Sequence, residues 1–63
     1  MFIELSEFES KDLFININNI VSVARDNDIT RVYTALDECH IVKESYDQVK
    51  ELIKREVAAE RGY

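Results

Sequence analysis

Residues 14–23 read FININNIVSV, two apolar runs interrupted by asparagines, and they decide how the N-terminal part of the chain folds. Asparagine favours turns and caps, because its short amide side chain bonds nearby backbone groups. We therefore expect Asn16 to end a strand and to cap a single turn. Ile17 and Ile20 would then both point inward, three positions apart. The structural turn or cap residues predicted for this corner are Asn16, Asn18 and Asn19.

Short apolar segments on both sides of this corner favour β-strands, and polar, turn-prone residues separate them. The predicted strands cover about residues 2–8, 13–17, 20–25, 29–36 and 39–43. Loops this short are typical of antiparallel hairpins.

Towards the C-terminus the apolar spacing changes from period 2 to the helical period of 3.6. Ser45 followed by Gln48 is a capping-box pattern, and Gly62 is a stop signal after the last turn. The sequence therefore predicts an amphipathic helix at about residues 46–61. Its apolar side is formed by Tyr46, Val49, Leu52, Ile53 and Val57.

These elements predict a single α+β domain over residues 1–63, with a small antiparallel sheet of four or five strands. The C-terminal helix would pack on one face of that sheet. Strand alternation then assigns one set of residues to the helix-covered face. That set is Ile3, Leu5, Leu13, Ile15, Val21, Val23, Val32 and Val42.

The opposite face of the predicted sheet carries unusually large apolar side chains: Phe2, Phe8, Phe14, Tyr33 and Ile41. A water-facing sheet surface is normally polar, and aromatic residues are enriched at the cores of interfaces. Our hypothesis is that this face is an interface, most simply that of a homodimer. In the alternative, a twist or register slip brings these residues into the single core.

The size of the chain also favours a partner. A 63-residue domain buries a small core and commonly needs a disulfide, a metal or association. Cys39 is the one cysteine and His40 the one histidine, which excludes an internal disulfide and leaves too few ligands for structural zinc. Asp26-Asn27-Asp28 resembles the start of an EF-hand loop but lacks its glycine and distal glutamate, so a simple turn is expected. We predict no cofactor and no metal.

No catalytic residue is predicted. Cys39 and His40 are adjacent in a predicted strand, so their side chains point to opposite faces and the pair lacks an orienting third group. We expect the protein not to be an enzyme.

The net charge is −5 and is unevenly distributed. Residues 1–40 hold three basic and eight acidic side chains, whereas residues 41–63 hold five of each. The absence of a basic cluster argues against nucleic-acid binding, which depends on neutralising phosphates. An acidic surface can instead meet a basic protein surface, including one that normally holds DNA, or it can serve solubility alone.

No stretch approaches the roughly 20 apolar residues of a membrane span, and the N-terminus MFIELSEF lacks the basic region of a signal peptide. Together with the single cysteine, this predicts a soluble cytoplasmic protein that does not enter membranes.

Several spaced residues carry a family resemblance. An apolar run ends in Asn16 with Ile20 four positions on, an Asp-containing turn precedes Thr30, and Val42-x-Glu44-Ser45 leads into the helix. This pattern resembles the small bacterial FlbD-like proteins, some of which are tied to flagellar function, over nearly the whole chain. The resemblance implies a small strand-rich fold with a C-terminal helix.

Two turns depart from the pattern of that family. Its members typically carry a Pro-Asp-Thr turn and an Asn-Gly-Lys-like hairpin, whereas this chain has Asp28-Ile29-Thr30 and Asp37-Glu38-Cys39. Other turn residues can close the same hairpins, so the implied fold is unaffected. No residue of known flagellar function is carried over.

The expected function is therefore that of a small acidic interaction module that self-associates and regulates or inhibits a larger, unidentified protein. The first alternative is a phage or mobile-element accessory protein that blocks a host nucleic-acid-processing or defence enzyme. A nucleic-acid-binding regulator is the second alternative.

Overall fold

The computed structural model describes residues 1–9 and 11–61 of the chain. Over these residues five antiparallel strands precede one helix, which confirms the predicted α+β class. The elements are β1 (Phe2–Ser6), β2 (Asp12–Asn16), β3 (Ile20–Asp26), β4 (Ile29–Thr34), β5 (Cys39–Val42) and α1 (Tyr46–Arg61). The strand bounds differ from the predicted ones by one or two residues. The predicted stop signal at Gly62 lies outside the described residues.

The strands form two sheets rather than one: the hairpin β1-β2 and the three-stranded sheet β3-β4-β5. A single antiparallel bridge between Glu7 and Val42 joins them. Two backbone hydrogen bonds flank that bridge, from the Phe8 N–H to the Ile41 carbonyl at 3.1 Å and from Lys43 to Ser6 at 2.7 Å. The strands therefore follow each other in space as β2-β1-β5-β4-β3.

The pairing between β1 and β5 does not continue beyond this bridge, because a side chain occupies the next hydrogen-bonding position in place of a backbone carbonyl. The Ser6 N–H donates to both carboxylate oxygens of Glu44, at 2.9 and 3.1 Å. The backbone can then turn away from the sheet towards the helix without leaving the Ser6 amide unpaired. This explains why a five-stranded order is divided into a two-stranded and a three-stranded sheet.

The asparagine corner connects β2 to β3 through one 3-10 turn, Ile17–Asn19. Asn16 has extended dihedrals, and its Oδ1 accepts the Asn18 N–H at 3.0 Å. The Ile20 N–H closes the turn on the Ile17 carbonyl. Asn18 and Asn19 act through their backbones, and the Asn19 carbonyl accepts the Ala35 N–H at 2.8 Å, which ties the corner to the end of β4.

The core lies between the two sheets and α1, which packs against β1 and β3. Ile17, Ile20 and Val23 are partly buried against this core. Val21 was expected to point inward, but it is 68% exposed. A register shift between Ile20 and Ser22 makes Val21 the extra residue of a bulge, so that Ile20 and Val23 can both point inward. The buried apolar residues are Ile3, Leu5, Ile15, Val32, Val42 and Val49.

The helix begins with a reciprocal cap. Ser45 Oγ accepts the Gln48 N–H at 3.1 Å, and Gln48 Oε1 accepts the Ser45 N–H at 2.8 Å. Asp47 adds a negative charge in the first turn, where it interacts favourably with the helix dipole. Val49, which follows Gln48, is fully buried and is the main contact of α1 with the core. The cap therefore fixes the start of α1 next to this contact.

Candidate protein interaction surface

The face of the strands that points away from the buried core is here called the outer face. Strand alternation and the observed register place on it all five residues predicted as an interface: Phe2, Phe8, Phe14, Tyr33 and Ile41. The four aromatic residues are exposed, whereas Ile41 is half-buried. The aromatic side chains therefore do not join the core in the monomer.

Phe2 and Phe14 form a stacked pair on the β1-β2 hairpin. Their ring centroids are 4.8 Å apart and the ring planes differ by 15°. Phe14 lies opposite Glu4 in the register, and Phe2 is the diagonal neighbour. Phe2 remains 46% exposed and Phe14 67% exposed, so most of the outer ring surface of Phe14 faces water.

The other three residues lie in a second group. Phe8 follows β1 and bonds through its amide to Ile41, and both residues line a shallow cleft that also includes Cys39. Tyr33 pairs with Cys39 in the next strand. Phe2 and Phe8 are six positions apart on one extended segment, or roughly 20 Å at the rise of a strand. The structure thus brings the five residues to one face but into two groups.

Charge differs between these two groups. On the hairpin, Glu4 and Asp12 occupy outer-face positions beside the stacked pair. On the three-stranded sheet the corresponding positions hold two cations, Arg31 in β4 and Lys43 just after β5, and one carboxylate, Asp26 at the end of β3. The sequence analysis missed this division, because it depends on which strands are neighbours. Strand alternation assigns these charged residues to the outer face, but it does not show which strands lie side by side.

Arg31 is held in place by its neighbours. Its Nε lies 3.6 Å from Asp26 Oδ2. The neighbouring Cys39 is the largest cause that raises the pKa of the guanidinium, with Tyr33 and Asp26 adding to it. Arg31 therefore presents a permanent positive charge beside the exposed ring of Tyr33.

A polar group lies on the inner side, at the junction of the two sheets. His40 Nδ1 is 3.3 Å from Glu7 Oε1, and Nε2 is 3.8 Å from Glu38 Oε1. Cys39 is exposed on the outer face and pairs with Tyr33, whereas His40 pairs with the buried Val32. The thiol and the imidazole of this pair therefore lie on opposite faces.

An open cleft of about 200 Å³ borders this group, with Leu13, Thr34 and Leu36 among its lining residues. Thr34 is 7% exposed, and its hydroxyl has no hydrogen-bond partner among the described residues. Small-molecule sites usually enclose about 300–1,000 Å³. The cleft is smaller than this range, so the outer face is the better candidate site.

Comparison of this chain with known protein families, curated proteins and solved structures gave no match. The resemblance to FlbD-like proteins stays a prediction. No helix within residues 1–9 and 11–61 is long and apolar enough to cross a membrane. In the same described part of the chain, no three His, Cys, Asp or Glu side chains are grouped so that they could hold a metal ion.

Proposed function

We propose that this chain is a small non-enzymatic protein interaction module that self-associates through its outer face and regulates a larger protein. The stacked pair of Phe2 and Phe14 carries this proposal, because it presents two aromatic rings to solvent on a strand surface. Aromatic residues are enriched at interface cores, and such an apolar patch on a small domain is typical of an interaction site.

Burial of the pair is the main source of binding free energy in this proposal. A phenylalanine that becomes fully buried contributes about 1.5–3 kcal/mol. A twofold dimer uses the same surface of each copy, so four rings are covered at once. This gain supports association as the stabilising contribution that a 63-residue domain otherwise takes from a disulfide or a metal.

The surroundings of Cys39 and His40 favour interaction over catalysis. Cys39 and His40 point away from each other, and the clefts beside them are open. A nucleophile and its base must lie within hydrogen-bond distance, and a substrate pocket must exclude water. Neither condition is favoured by this arrangement.

Light scattering after size-exclusion chromatography tests the self-association. We expect the wild-type protein to be a dimer at high micromolar concentration and Phe14→Glu to be a monomer. Leu36→Glu is the matched control, because Leu36 is also highly exposed but lies in the turn after β4, beside the inner cleft. A monomeric wild-type protein whose mass Phe14→Glu leaves unchanged would refute the self-association.

A tagged pull-down from the source cell, followed by mass spectrometry, tests for the larger protein. We expect one larger protein to be enriched with the wild-type chain relative to a tag control. Two results would instead support other classes of function: salt-sensitive binding to a DNA or RNA fragment, or substrate turnover that Cys39→Ala abolishes.

A further inference from the structure

The outer face consists of two halves of different charge, each with its own apolar group. The hairpin half contains Phe2, Glu4, Asp12 and Phe14 on β1 and β2. The sheet half contains Phe8 just after β1, Asp26 at the end of β3, Arg31 and Tyr33 on β4, Ile41 on β5 and Lys43 just after β5. The hairpin half therefore combines aromatic rings with two carboxylates. The sheet half combines apolar side chains with two cations and one carboxylate, that of Asp26, which already contacts Arg31.

We propose that a second copy of this chain binds the outer face with its halves exchanged, so that the hairpin half of each copy contacts the sheet half of the other. This arrangement rests on the proposed function, since it specifies how the self-association occurs. Glu4 and Asp12 of one copy meet Arg31 and Lys43 of the other, while the stacked phenylalanines meet Tyr33 and Ile41.

Electrostatics distinguishes this arrangement from its main alternative. If hairpin half met hairpin half, four carboxylates would gather around the four phenylalanine rings, and like charges at an interface oppose binding. In the exchanged arrangement Glu4 and Asp12 approach cations of the other copy instead, while Asp26 stays beside Arg31 of its own copy. A twofold axis then generates the contact between the halves twice, because such an interface is self-complementary.

The intramolecular contact of Arg31 is compatible with this role. Asp26 Oδ2 lies 3.6 Å from Arg31 Nε; the side chain of Arg31 is 32% exposed and that of Asp26 is 60% exposed. A guanidinium has five N–H donors, so one contact with Asp26 leaves others for a carboxylate of the second copy.

Two charge-reversal variants and their mixture test the arrangement. The hairpin variant carries Glu4→Lys with Asp12→Lys, and the sheet variant carries Arg31→Glu with Lys43→Glu. Each alone places like charges across both contacts, and we expect the Kd of its homodimer to rise at least about tenfold. In an equimolar mixture the new lysines of the hairpin variant meet the new glutamates of the sheet variant. Heterodimers should therefore form with near wild-type affinity. Native mass spectrometry separates the heterodimer from the two homodimers.

A control variant, Glu51→Lys with Glu60→Lys, raises the net charge by the same amount as Glu4→Lys with Asp12→Lys, but at exposed positions of α1. We expect it to dimerise as the wild type does. Folded charge variants that dimerise normally, or that fail to form heterodimers when mixed, would overturn the exchanged arrangement while the wild-type dimer still supports self-association. A monomeric wild-type protein would instead refute the proposed self-association itself.

A neutral variant keeps the proposal testable if a charge-reversed chain does not fold. Glu4→Gln with Asp12→Asn removes the carboxylates without adding charge. We expect the wild-type Kd to increase with salt concentration, because salt screens the contacts between the halves, and the Kd of the neutral variant to change by less than about twofold. An equal salt dependence of both proteins would contradict the arrangement.

Discussion

The two faces of the strands use different kinds of apolar residue. The inner face is buried and contains leucine, isoleucine and valine, whereas the outer face is exposed and contains most of the aromatic residues. The fold can therefore close its core without its phenylalanines, and the same phenylalanines are free to contact a partner. Substitutions on the inner face should affect folding, and those on the outer face should affect association.

Leu5→Ala should have the largest effect. Leu5 is fully buried, so its truncation removes apolar contacts and leaves a cavity, at a cost of about 2–5 kcal/mol. A domain of this size has a total stability of about 3–9 kcal/mol, so much of the protein would be unfolded. Urea denaturation followed by circular dichroism measures the change. A loss as small as that from an exposed substitution would contradict the division between the faces.

Glu44→Ala should have the second largest effect, because the Glu44 carboxylate is the group that ends the pairing between the two sheets. Without it the Ser6 amide loses a charged acceptor, and we expect a loss of about 2 kcal/mol. Amide hydrogen exchange should show faster exchange at Ser6. Glu44→Gln is the matched control, since its amide oxygen can still accept this bond; equal losses from the two variants would contradict the role of the carboxylate.

Much of the fold could be predicted from local patterns. The corner at Asn16, the capping box at Ser45 and the helix depend on residues close in sequence, so their chemistry is visible in short segments. The exposed position of Val21 and the division into two sheets could not be predicted in this way. Val21 is exposed because of a bulge in the pairing of β3 with β4. The sheet is divided because Ser6 and Glu44, which are far apart in the chain, form a hydrogen bond.

The candidate site was partly predictable for the same reason. Alternation within each strand assigned Phe2, Phe14 and Tyr33 to one face, because it needs no knowledge of which strands are neighbours. The separation of acidic and basic halves needs the bridge between Glu7 and Val42, which sets the hairpin beside β5. That bridge joins residues with no distinctive sequence signal.

Asn16→Ala tests how the corner keeps the inner face continuous between the sheets. The variant removes the cap that accepts the Asn18 N–H, and we expect a loss of about 1 kcal/mol in the free energy of unfolding. Thermal denaturation measures the loss, and light scattering should show that the dimer is retained. An unchanged melting temperature with a lost dimer would instead assign Asn16 to the interface.

Phe14→Thr should have the smallest effect on the monomer and the clearest effect on association. Phe14 is 67% exposed, so the variant loses mainly the stacking with Phe2, about 0.5–1.5 kcal/mol, and threonine is well suited to a strand, which offsets part of that loss. Denaturation at low concentration should therefore give a stability close to that of the wild type. Because a dimer is stabilised by mass action, the wild-type melting temperature should rise with protein concentration and that of Phe14→Thr should not. If both melting temperatures rose equally, the outer face would not be the associating surface, and the exposed rings would need another explanation.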